Sequence, residues 1–398
     1  MGGNLFLFTG RFPYSTAENF LEDEIVYLCK EFENVYIVPF RIEGRRRPCP
    51  ENCIVLPPII NNNVDYILKG LFCRQSFSLL MKDFINNRAL CNLKKIKVWL
   101  TGYVAVNCYL NSRTMRQICS NLKAGDVFYS YWGKWANTLS VFRTECRPFV
   151  SRFHGDWDLW EEKYDGYAPL RNKVASCIDA AVFISQKGKD YFERKYPKCP
   201  TSLFRLGTKD VGIVQYSDDG IIRVLSCSTV YPLKRVELIL ETVIELSQTR
   251  KVIWTHLGGG VDYERVKAKA LSKESPNLKI IMPGQVSYKD VLDYYRNNHI
   301  DVFVNLSTNE GVPVSVMEAI SCNVPVVATN VGGTSEVVVG ESGVLVSPNP
   351  SANEVVRAIC EVVDNRGNYK PRVFWETKYV AEKNYGDFAK YLHSFIKN

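Results

Sequence analysis

The most informative stretch of this sequence reads Ser307-Thr308-Asn309-Glu310-Gly311-Val312-Pro313-Val314-Ser315-Val316-Met317-Glu318-Ala319-Ile320. An apolar run ends just before it, and Pro313 stands where a first helical turn accepts a residue without an N–H. We therefore predict a strand, a short loop with Glu310 and Gly311, and then a helix. The N–H groups of Gly311, Val312 and Val314 and the positive end of the helix dipole would suit a phosphate.

Short apolar runs alternate with helical patterns on both sides of that stretch. Such alternation is typical of parallel sheets covered by helices. The sequence therefore predicts an α/β fold of two facing doubly wound, Rossmann-like domains with a ligand cleft between them. The predicted strands lie at 5–8, 35–38, 127–129, 149–150, 181–184, 223–226, 252–257, 278–281, 302–304, 324–328 and 344–346.

The size and charge of the chain limit the kinds of function that it could have. A chain of 398 residues is too long to fold around a single hydrophobic core, so two domains are expected. It has no apolar run long enough to predict a membrane-spanning helix. Residues 1–205 hold 29 Lys and Arg against 20 Asp and Glu, and residues 206–398 hold 21 against 22. A basic first half indicates either an anionic partner, such as a phospholipid surface or a phosphate-bearing acceptor, or an ordinary solvated surface. The basic residues are too dispersed to predict nucleic-acid binding.

The start of the chain and its cysteines bear on location. Met1 to Phe6 lack the basic segment of a signal peptide, so export is not expected. The 13 cysteines are odd in number and scattered, and Cys49 and Cys53 lack a second pair that would complete a zinc site. We read them as reduced thiols and predict a cytoplasmic protein.

Two carboxylates in the opening stretch could accept hydrogen bonds from paired sugar hydroxyls, although a lone Glu is more often a solvated surface residue. The spacing Glu310, seven residues, Glu318 is followed by Pro325 to Thr329, by Val331-Gly332-Gly333 and by Glu336-Val337-Val338. In that order these segments resemble glycosyltransferase family 4, whose members have the GT-B fold and transfer sugars with retention of configuration. The resemblance is to members that build bacterial surface polysaccharides.

The resemblance implies roles for further residues of the second half. Lys234 occupies the place of a Lys that binds the donor phosphates, while Ser228 and Thr229 stand where the family commonly has Gly-Arg. A second phosphate-binding cation would then be Arg235 or another residue. Three residues correspond to the glycine-bearing loops near the nucleotide, although each loop alone would predict only a tight turn: Gly258, Gly284 and Val286.

In the first half, Phe149 to Asp158 resembles the acceptor-domain strand and the His-Gly-x-Asp of the family. The match places His154 near the transferred sugar with Asp156 or Asp158 close by, whereas a single His after an apolar strand is otherwise more often structural. The first loop resembles that of the same subgroup and predicts acceptor contacts from Arg11 and Phe12, and Asp156 is the third expected acceptor-binding residue. The aromatic residues Tyr129, Tyr131 and Trp132 could stack on sugars or belong to the core.

The family fold implies three segments. They are an acceptor-binding domain over residues 1–207, a donor-binding domain over 208–375, and a C-terminal helix over 376–398 that crosses back to the first domain. A polar, turn-forming stretch at 205–219 agrees with that boundary.

The implied function is transfer of a hexose-type sugar from a UDP- or GDP-linked donor to a glycan or lipid-linked saccharide acceptor. Glu310, His154 and Lys234 would be the catalytic residues, Glu318 would hold the ribose, and neither a metal nor another cofactor would be required. The basic stretch 94–99 could dock on an anionic inner membrane surface or form an ordinary amphipathic helix face. Two alternatives stay open: a nucleotide-sugar 2-epimerase on the same fold, and a catalytically inactive binding partner.

Overall fold

The computed structural model describes residues 3–15, 18, 20–142, 147–155 and 158–396. The chain divides into two compact units, one formed by Met1–Arg205 with Asn384–Asn398 and the other by Leu206–Lys383. Each unit contains one sheet, and every pairing between its strands is parallel. No helix in the described part of the chain is long and apolar enough to cross a membrane.

The second unit contains a six-stranded sheet. In chain order its strands are β8 (Ile221–Cys227), β9 (Lys251–Leu257), β10 (Leu278–Gly284), β11 (Val302–Asn305), β12 (Val326–Thr329) and β13 (Gly343–Val346), and their order in the sheet is β10-β9-β8-β11-β12-β13. Its helices are α9 (Val236–Leu246), α10 (Tyr263–Leu271), α11 (Tyr288–Asn297), α12 (Val314–Ser321), α13 (Ala352–Asp364) and α14 (Pro371–Lys378).

The strand order reverses direction at β8, because the chain first builds outward through β9 and β10 and then returns to add β11 on the other side. That reversal leaves a crevice at the carboxyl ends of β8 and β11, the position where such sheets bind ligands. Every residue of β11 and β12 is buried, as expected for strands covered by helices on both faces.

The first unit contains a seven-stranded sheet in the order β3-β2-β1-β4-β5-β6-β7. Its strands are β1 (Asn4–Thr9), β2 (Asn34–Pro39), β3 (Cys53–Val55), β4 (Val127–Ser130), β5 (Phe149–Phe153), β6 (Ala180–Phe183) and β7 (Thr201–Leu203). Its helices are α1 (Leu21–Glu31), α2 (Asn63–Gly70), α3 (Arg74–Asn86), α4 (Leu93–Asn111), α5 (Arg113–Ser120), α6 (Leu139–Phe142), α7 (Arg171–Cys177) and α8 (Gln186–Lys195), joined by most of α15 (Ala381–His393).

The predicted α/β class with two doubly wound sheets is confirmed, and all eleven predicted strands are present. The short edge strands β3 and β7 and the run of helices α2 to α5 were not predicted. In that run, Val98 and Trp99 are buried, and the Trp99 indole N–H donates to the Leu80 carbonyl at 3.1 Å. The aromatic end of the stretch 94–99 therefore faces the core, as in the reading of that stretch as an ordinary amphipathic helix face, and docking of its lysines on a membrane stays a prediction.

A fully buried ion pair joins α1 to the centre of the first sheet. The Arg152 guanidinium donates to a Glu24 carboxylate oxygen at 2.5 Å and to the Phe204 carbonyl at 3.1 Å. The Tyr129 hydroxyl donates to the other Glu24 oxygen at 2.9 Å, and the guanidinium lies over the Phe388 ring of α15. Both charged side chains are 0% exposed, so each depends on the other for compensation of its lost hydration.

Removing one charge of this pair should destabilise the first unit strongly. We expect Glu24→Gln to lower the free energy of unfolding by roughly 3–5 kcal/mol, because it leaves the Arg152 charge buried without its counterion. Urea denaturation followed by far-UV circular dichroism measures the loss.

Two comparisons sharpen that measurement. The double variant Glu24→Leu/Arg152→Met should lose less than Glu24→Gln, since it buries no uncompensated charge. Lys94→Met, which breaks the exposed pair with Asp165, should change little. A loss below about 1 kcal/mol in Glu24→Gln would contradict the argument.

Candidate functional site

The carboxyl ends of β8 and β11 bring together two charged residues that lie 76 positions apart in the sequence. The Lys234 ammonium donates to the Glu310 carboxylate at 2.5 Å, and the Asn305 side-chain amide donates to the same oxygen at 3.3 Å. The Lys234 and Glu310 side chains are 20% and 12% exposed. A largely buried cation and carboxylate therefore lie at the crevice of this sheet.

Arg235 follows Lys234 but is used differently. Its backbone is left-handed, with φ 48°, and its guanidinium donates to the carbonyls of Leu306 at 2.7 Å, Ser307 at 3.1 Å and Pro348 at 2.6 Å. Burial lowers the pKa of this guanidinium. Arg235 thus fastens the loop after β8 to the loops after β11 and β13, and its predicted contact with donor phosphates stays a prediction.

The segment from Glu310 to Glu318 forms the predicted loop and helix. Pro313 is the N-cap of α12 and makes no side-chain capping bond, so the first N–H groups of the helix have no side-chain acceptor from that residue. Glu318 is 5% exposed, one helical turn inside α12. Together with burial, its negative charge raises the pKa of the Cys227 thiol at the end of β8 to about 12. Glu310 and Glu318 therefore both lie at the crevice end of the unit.

Close approach of neighbouring loops explains two of the glycines at this edge. A Cβ on Gly332, whose φ is +53°, would lie 1.7 Å from the Glu310 carbonyl oxygen. A Cβ on Gly258, with φ +139°, would lie 2.0 Å from the Ser228 carbonyl oxygen, and the Gly258 N–H donates to the Gly284 carbonyl at 3.0 Å. Val286 follows in the same loop and is half-buried. The glycines thus let the chain pack around the crevice more closely than side chains permit.

A buried polar chain lies beneath the loop after β8. The Trp254 indole donates to the Ser226 hydroxyl at 2.9 Å, Ser226 lies 2.8 Å from Nδ1 of His256, and Nε2 of His256 lies 3.2 Å from the Ser228 carbonyl. These partners fit a neutral imidazole that accepts at Nδ1 and donates at Nε2. Burial lowers the pKa of His256 to about 4. Sequence reasoning missed this support of the Ser228 loop, because no spacing in the sequence brings these residues together.

In the first unit, Glu18 organises the loop after β1. Its carboxylate accepts the N–H groups of Gly10 at 2.8 Å, Arg11 at 2.7 Å and Phe12 at 2.7 Å, and the Trp132 indole N–H at 2.5 Å. The Arg11 side chain is half-exposed and pairs with Glu43. Phe12 is fully buried in the core, so of the two predicted acceptor contacts only Arg11 presents its side chain.

His154 lies at the carboxyl end of β5, between the rings of Tyr131 and Trp132, whose centroids are 4.5 and 4.6 Å from its own. The Asp158 carboxylate accepts the N–H groups of His154, Gly155 and Gly133, and thereby joins the loops after β4 and β5. Burial lowers the pKa of His154, which favours the neutral ring. Its Nδ1 lies 3.7 Å from that carboxylate, and within the described residues neither ring nitrogen has a hydrogen-bond partner. Asp156, the third predicted acceptor residue, lies outside the described residues.

The structure thus brings Lys234, Glu310, Glu318 and the start of α12 to one edge of the second unit. It brings Arg11 and His154 to the carboxyl edge of the first unit, since both follow strands of that sheet. Two site residues that sequence reasoning missed are Asn305 and Glu18; an Asn at the end of an apolar run and an acidic residue after a first strand were the available signals. Among the described residues, no group of three or more His, Cys, Asp and Glu side chains could hold a metal ion.

Most of the second unit, together with helix α15, matches a known family. Residues 216–395 match the profile described as glycosyl transferases group 1. A phosphatidylinositol N-acetylglucosaminyltransferase component of Arabidopsis thaliana is 29% identical over 189 residues, which is 46% of this chain and 41% of that protein. A putative teichuronic acid biosynthesis glycosyltransferase of Bacillus subtilis is 36% identical over 116 residues, 28% of each chain. The aligned segments thus span less than half the length of these relatives.

Solved structures are similar over nearly the whole chain. A lipopolysaccharide outer core galactosyltransferase, WaaB, has a TM-score of 0.67 at 14% identity and covers 98% of this chain and 99% of its own. The Anabaena protein HepE, in complex with UDP and glucose, has a TM-score of 0.64 at 14% identity with the same coverage. At such identities the similarity shows the fold alone, and it confirms the predicted GT-B fold class.

The close approach at Gly332 should make this position intolerant of a side chain. We expect Gly332→Ala to lower the free energy of unfolding by roughly 2–4 kcal/mol, because its Cβ would displace the Glu310 carbonyl and its backbone is left-handed. Thermal unfolding measures the loss. Gly340→Ala is the matched control, since a Cβ there would meet no atom within 4 Å. Equal melting temperatures for the two variants would contradict the predicted role of Gly332.

The buried neutral His256 should make stability depend on pH. Its pKa is about 4 in the folded chain against an ordinary value of 6.5, so the unfolded chain binds a proton first as the pH falls. This contribution to stability is full above about pH 6.5 and is lost toward pH 4. Between pH 7 and 5 it amounts to about 2 kcal/mol.

Urea denaturation at pH 5, 6 and 7 tests this dependence. The pH slope of His256→Gln should be flatter than that of the unmodified chain by that amount, whereas His299→Gln, at an exposed histidine, should keep the full slope. NMR titration of the unmodified chain should show no protonation of His256 above pH 5. Protonation near pH 6.5 would overturn the assignment.

Proposed function

We propose that this chain, whose residues 216–395 carry the glycosyl transferases group 1 domain, moves a hexose-type sugar from a nucleotide sugar to an acceptor hydroxyl with retention of configuration. The observation that carries the proposal is the Lys234–Glu310 pair at the carboxyl ends of β8 and β11. It supplies a cation for a leaving diphosphate and a carboxylate for sugar hydroxyls in the same crevice.

The donor phosphates would lie between Lys234 and the start of α12. In the free chain, Glu310 holds the Lys234 ammonium in place, so the ammonium need not be drawn from solvent when the anion binds. The N–H groups of Gly311, Val312 and Val314 and the helix dipole would add partial positive charge on the other side. Negative charge that develops on the leaving diphosphate would then be stabilised from two directions.

The two glutamates would hold the two sugars of the donor. Glu310 would accept hydrogen bonds from hydroxyls of the transferred sugar, and Glu318 from the ribose. Gly258, Gly284 and Val286 would border the base, because their loops close the edge of the sheet beyond β9 and β10. UDP or GDP is the proposed carrier, and the similar HepE structure, which contains UDP, supports the first.

Transfer would take place on one face of the sugar. The bond between the anomeric carbon and the leaving phosphate oxygen breaks, and the bond to the acceptor oxygen forms on the same side. The acceptor proton passes to the departing phosphate oxygen, so no covalent enzyme intermediate is needed. We propose that Lys234 and the α12 N–H groups supply the charge stabilisation and that no divalent ion is required; loss of turnover with a chelator would contradict this.

His154 and Arg11 are the proposed residues on the acceptor side. A neutral imidazole can both donate to and accept from a sugar hydroxyl, and its two nitrogens are without hydrogen-bond partners in the described part of the chain. The proposed acceptors are glycans or lipid-linked saccharides of bacterial surface polysaccharide assembly. The names of the Bacillus subtilis relative and of the WaaB structure support this class.

One observation favours an inactive binding partner as a second candidate. Thr229 stands where the family commonly has Arg, and Arg235 donates to loop carbonyls rather than remaining available for a phosphate. Such a protein would keep the fold and bind a nucleotide weakly or not at all. A 2-epimerase is the third candidate, and it would convert the nucleotide sugar in the absence of any acceptor.

A thermal-shift screen against UDP, GDP, ADP and dTDP and their common sugar conjugates tests the proposal, because a ligand that binds only the folded chain raises the melting temperature. We expect one base to give a shift that is lost in Lys234→Met and in Glu318→Ala. With that donor, Lys234→Met should lower kcat by about a hundredfold or more, in line with the loss of one group that stabilises transition-state charge.

Three outcomes separate the candidates. Anomeric NMR of the product with a simple acceptor should show the configuration of the donor, and inversion would refute the mechanism. Conversion of the donor without acceptor would indicate the epimerase. No shift with any nucleotide, in a folded chain, would indicate the inactive partner. Arg235→Lys is the companion variant: loss of the shift there would assign donor binding to Arg235 as well.

A further inference from the structure

Helix α2 carries an apolar stripe on its solvent side. Val64, Ile67 and Leu68 of α2, and Leu71 and Phe72 directly after it, follow the spacing i, i+3, i+4, i+7, i+8, and each is 57–66% exposed. The opposite face packs on α4, where Gly70 lies against Val104. The usual arrangement, in which the apolar stripe faces the core, is thus reversed in this helix.

The apolar surface continues beyond α2. The Phe72 and Phe77 rings lie 5.5 Å apart and join the stripe to the start of α3. Residues 64–100 hold ten of the eighteen large hydrophobic side chains that are exposed in the described part of the chain. Exposed apolar residues are therefore concentrated in this segment and not scattered evenly over the exterior. The ten are Val64, Ile67, Leu68, Leu71, Phe72, Phe77, Ile85, Leu90, Leu93 and Leu100.

The charge of the same segment is strongly positive. Residues 63–100 hold seven Lys and Arg against two Asp and Glu, a net charge of +5. Arg74, Lys82, Arg88 and Lys97 are exposed, and none of them forms an ion pair with a described residue. Exposed apolar side chains and unpaired cations therefore share one run of helices.

We propose that the helices α2 to α4 dock the protein on a bilayer that contains anionic lipids. The α2 stripe would lie at the boundary of headgroups and acyl chains, and the lysines and arginines would contact the lipid phosphates. The helix would lie in the plane of the interface and would not span the bilayer. This docking does not depend on the proposed transfer chemistry.

Two features favour a lipid surface over a protein partner. Protein interfaces are depleted in Lys and enriched in Tyr, Trp and Arg at their centres, whereas this surface is aliphatic with two Phe and contains several Lys. Helices that lie on membranes combine Leu and Phe on one side with Lys and Arg beside them, which is the composition found here. A second copy of this chain would also meet the same +5 charge across the contact.

Vesicle flotation with the full chain tests the proposal. We expect binding to vesicles of phosphatidylcholine with phosphatidylglycerol, weaker binding to phosphatidylcholine alone, and a decrease as salt is raised. The double variant Ile67→Ser/Leu68→Ser should weaken binding by about tenfold or more. Its melting temperature should be unchanged, because both side chains are exposed. Val261→Ser is the matched control, since Val261 is 90% exposed and lies in the second unit.

A charge variant separates the two contributions. Lys82→Gln/Arg88→Gln/Lys97→Gln should bind neutral vesicles like the unmodified chain and should lose the preference for anionic ones. The proposal is overturned by the absence of flotation with any vesicle, or by equal binding of Ile67→Ser/Leu68→Ser and the unmodified chain. It is also overturned if light scattering shows a dimer that Ile67→Ser/Leu68→Ser dissociates while no vesicle is bound.

Discussion

The adjacency of β8 and β11 is the constraint on which the candidate site depends. Because these strands are parallel neighbours, the loops that follow them open at the same edge, and Lys234 meets Glu310 across 76 residues of sequence. Asn305 donates a hydrogen bond to the Glu310 carboxylate of this pair. Arg235, next to Lys234, joins the loop after β8 to carbonyls in the loops after β11 and β13. A cation fixed in this way loses little conformational freedom when an anion arrives.

The two units position their loops by different means. At the edge of the second sheet, neighbouring backbones approach so closely that only glycine fits, as at Gly332 against the Glu310 carbonyl. At the edge of the first sheet, buried carboxylates hold the loops, since Glu18 accepts three consecutive backbone N–H groups and Asp158 joins the loops after β4 and β5. The first device allows neighbouring loops to pack closely, and the second places aromatic side chains such as Trp132 beside His154.

The sequence was sufficient for eleven of the thirteen described strands, because apolar runs indicate buried strands. It was also sufficient to place Glu310, Glu318 and Lys234 near the ends of strands in the second half, and their roles stay predictions. It was insufficient where a role depends on tertiary contacts. Phe12 lies in a polar loop pattern yet is fully buried, and Glu18 follows a loop with no signal that its carboxylate would turn back to accept Gly10 and Arg11. The helices α2 to α5 escaped prediction because part of their apolar pattern faces solvent and blurs the usual periodicity.

The helices with this exposed apolar pattern also carry much of the positive charge of the first half of the chain. Of the +9 carried by residues 1–205, residues 63–100 contribute +5, so the basic excess is concentrated in the helices that expose the apolar stripe. On an ordinary solvated surface, charged residues take the place of large apolar ones at exposed positions. Here Leu68 and Leu93 stay exposed in a segment that also carries Lys82 and Lys97. Apolar contact and electrostatic attraction reinforce each other only at a surface that offers both acyl chains and anionic groups, and this double requirement favours a lipid interface.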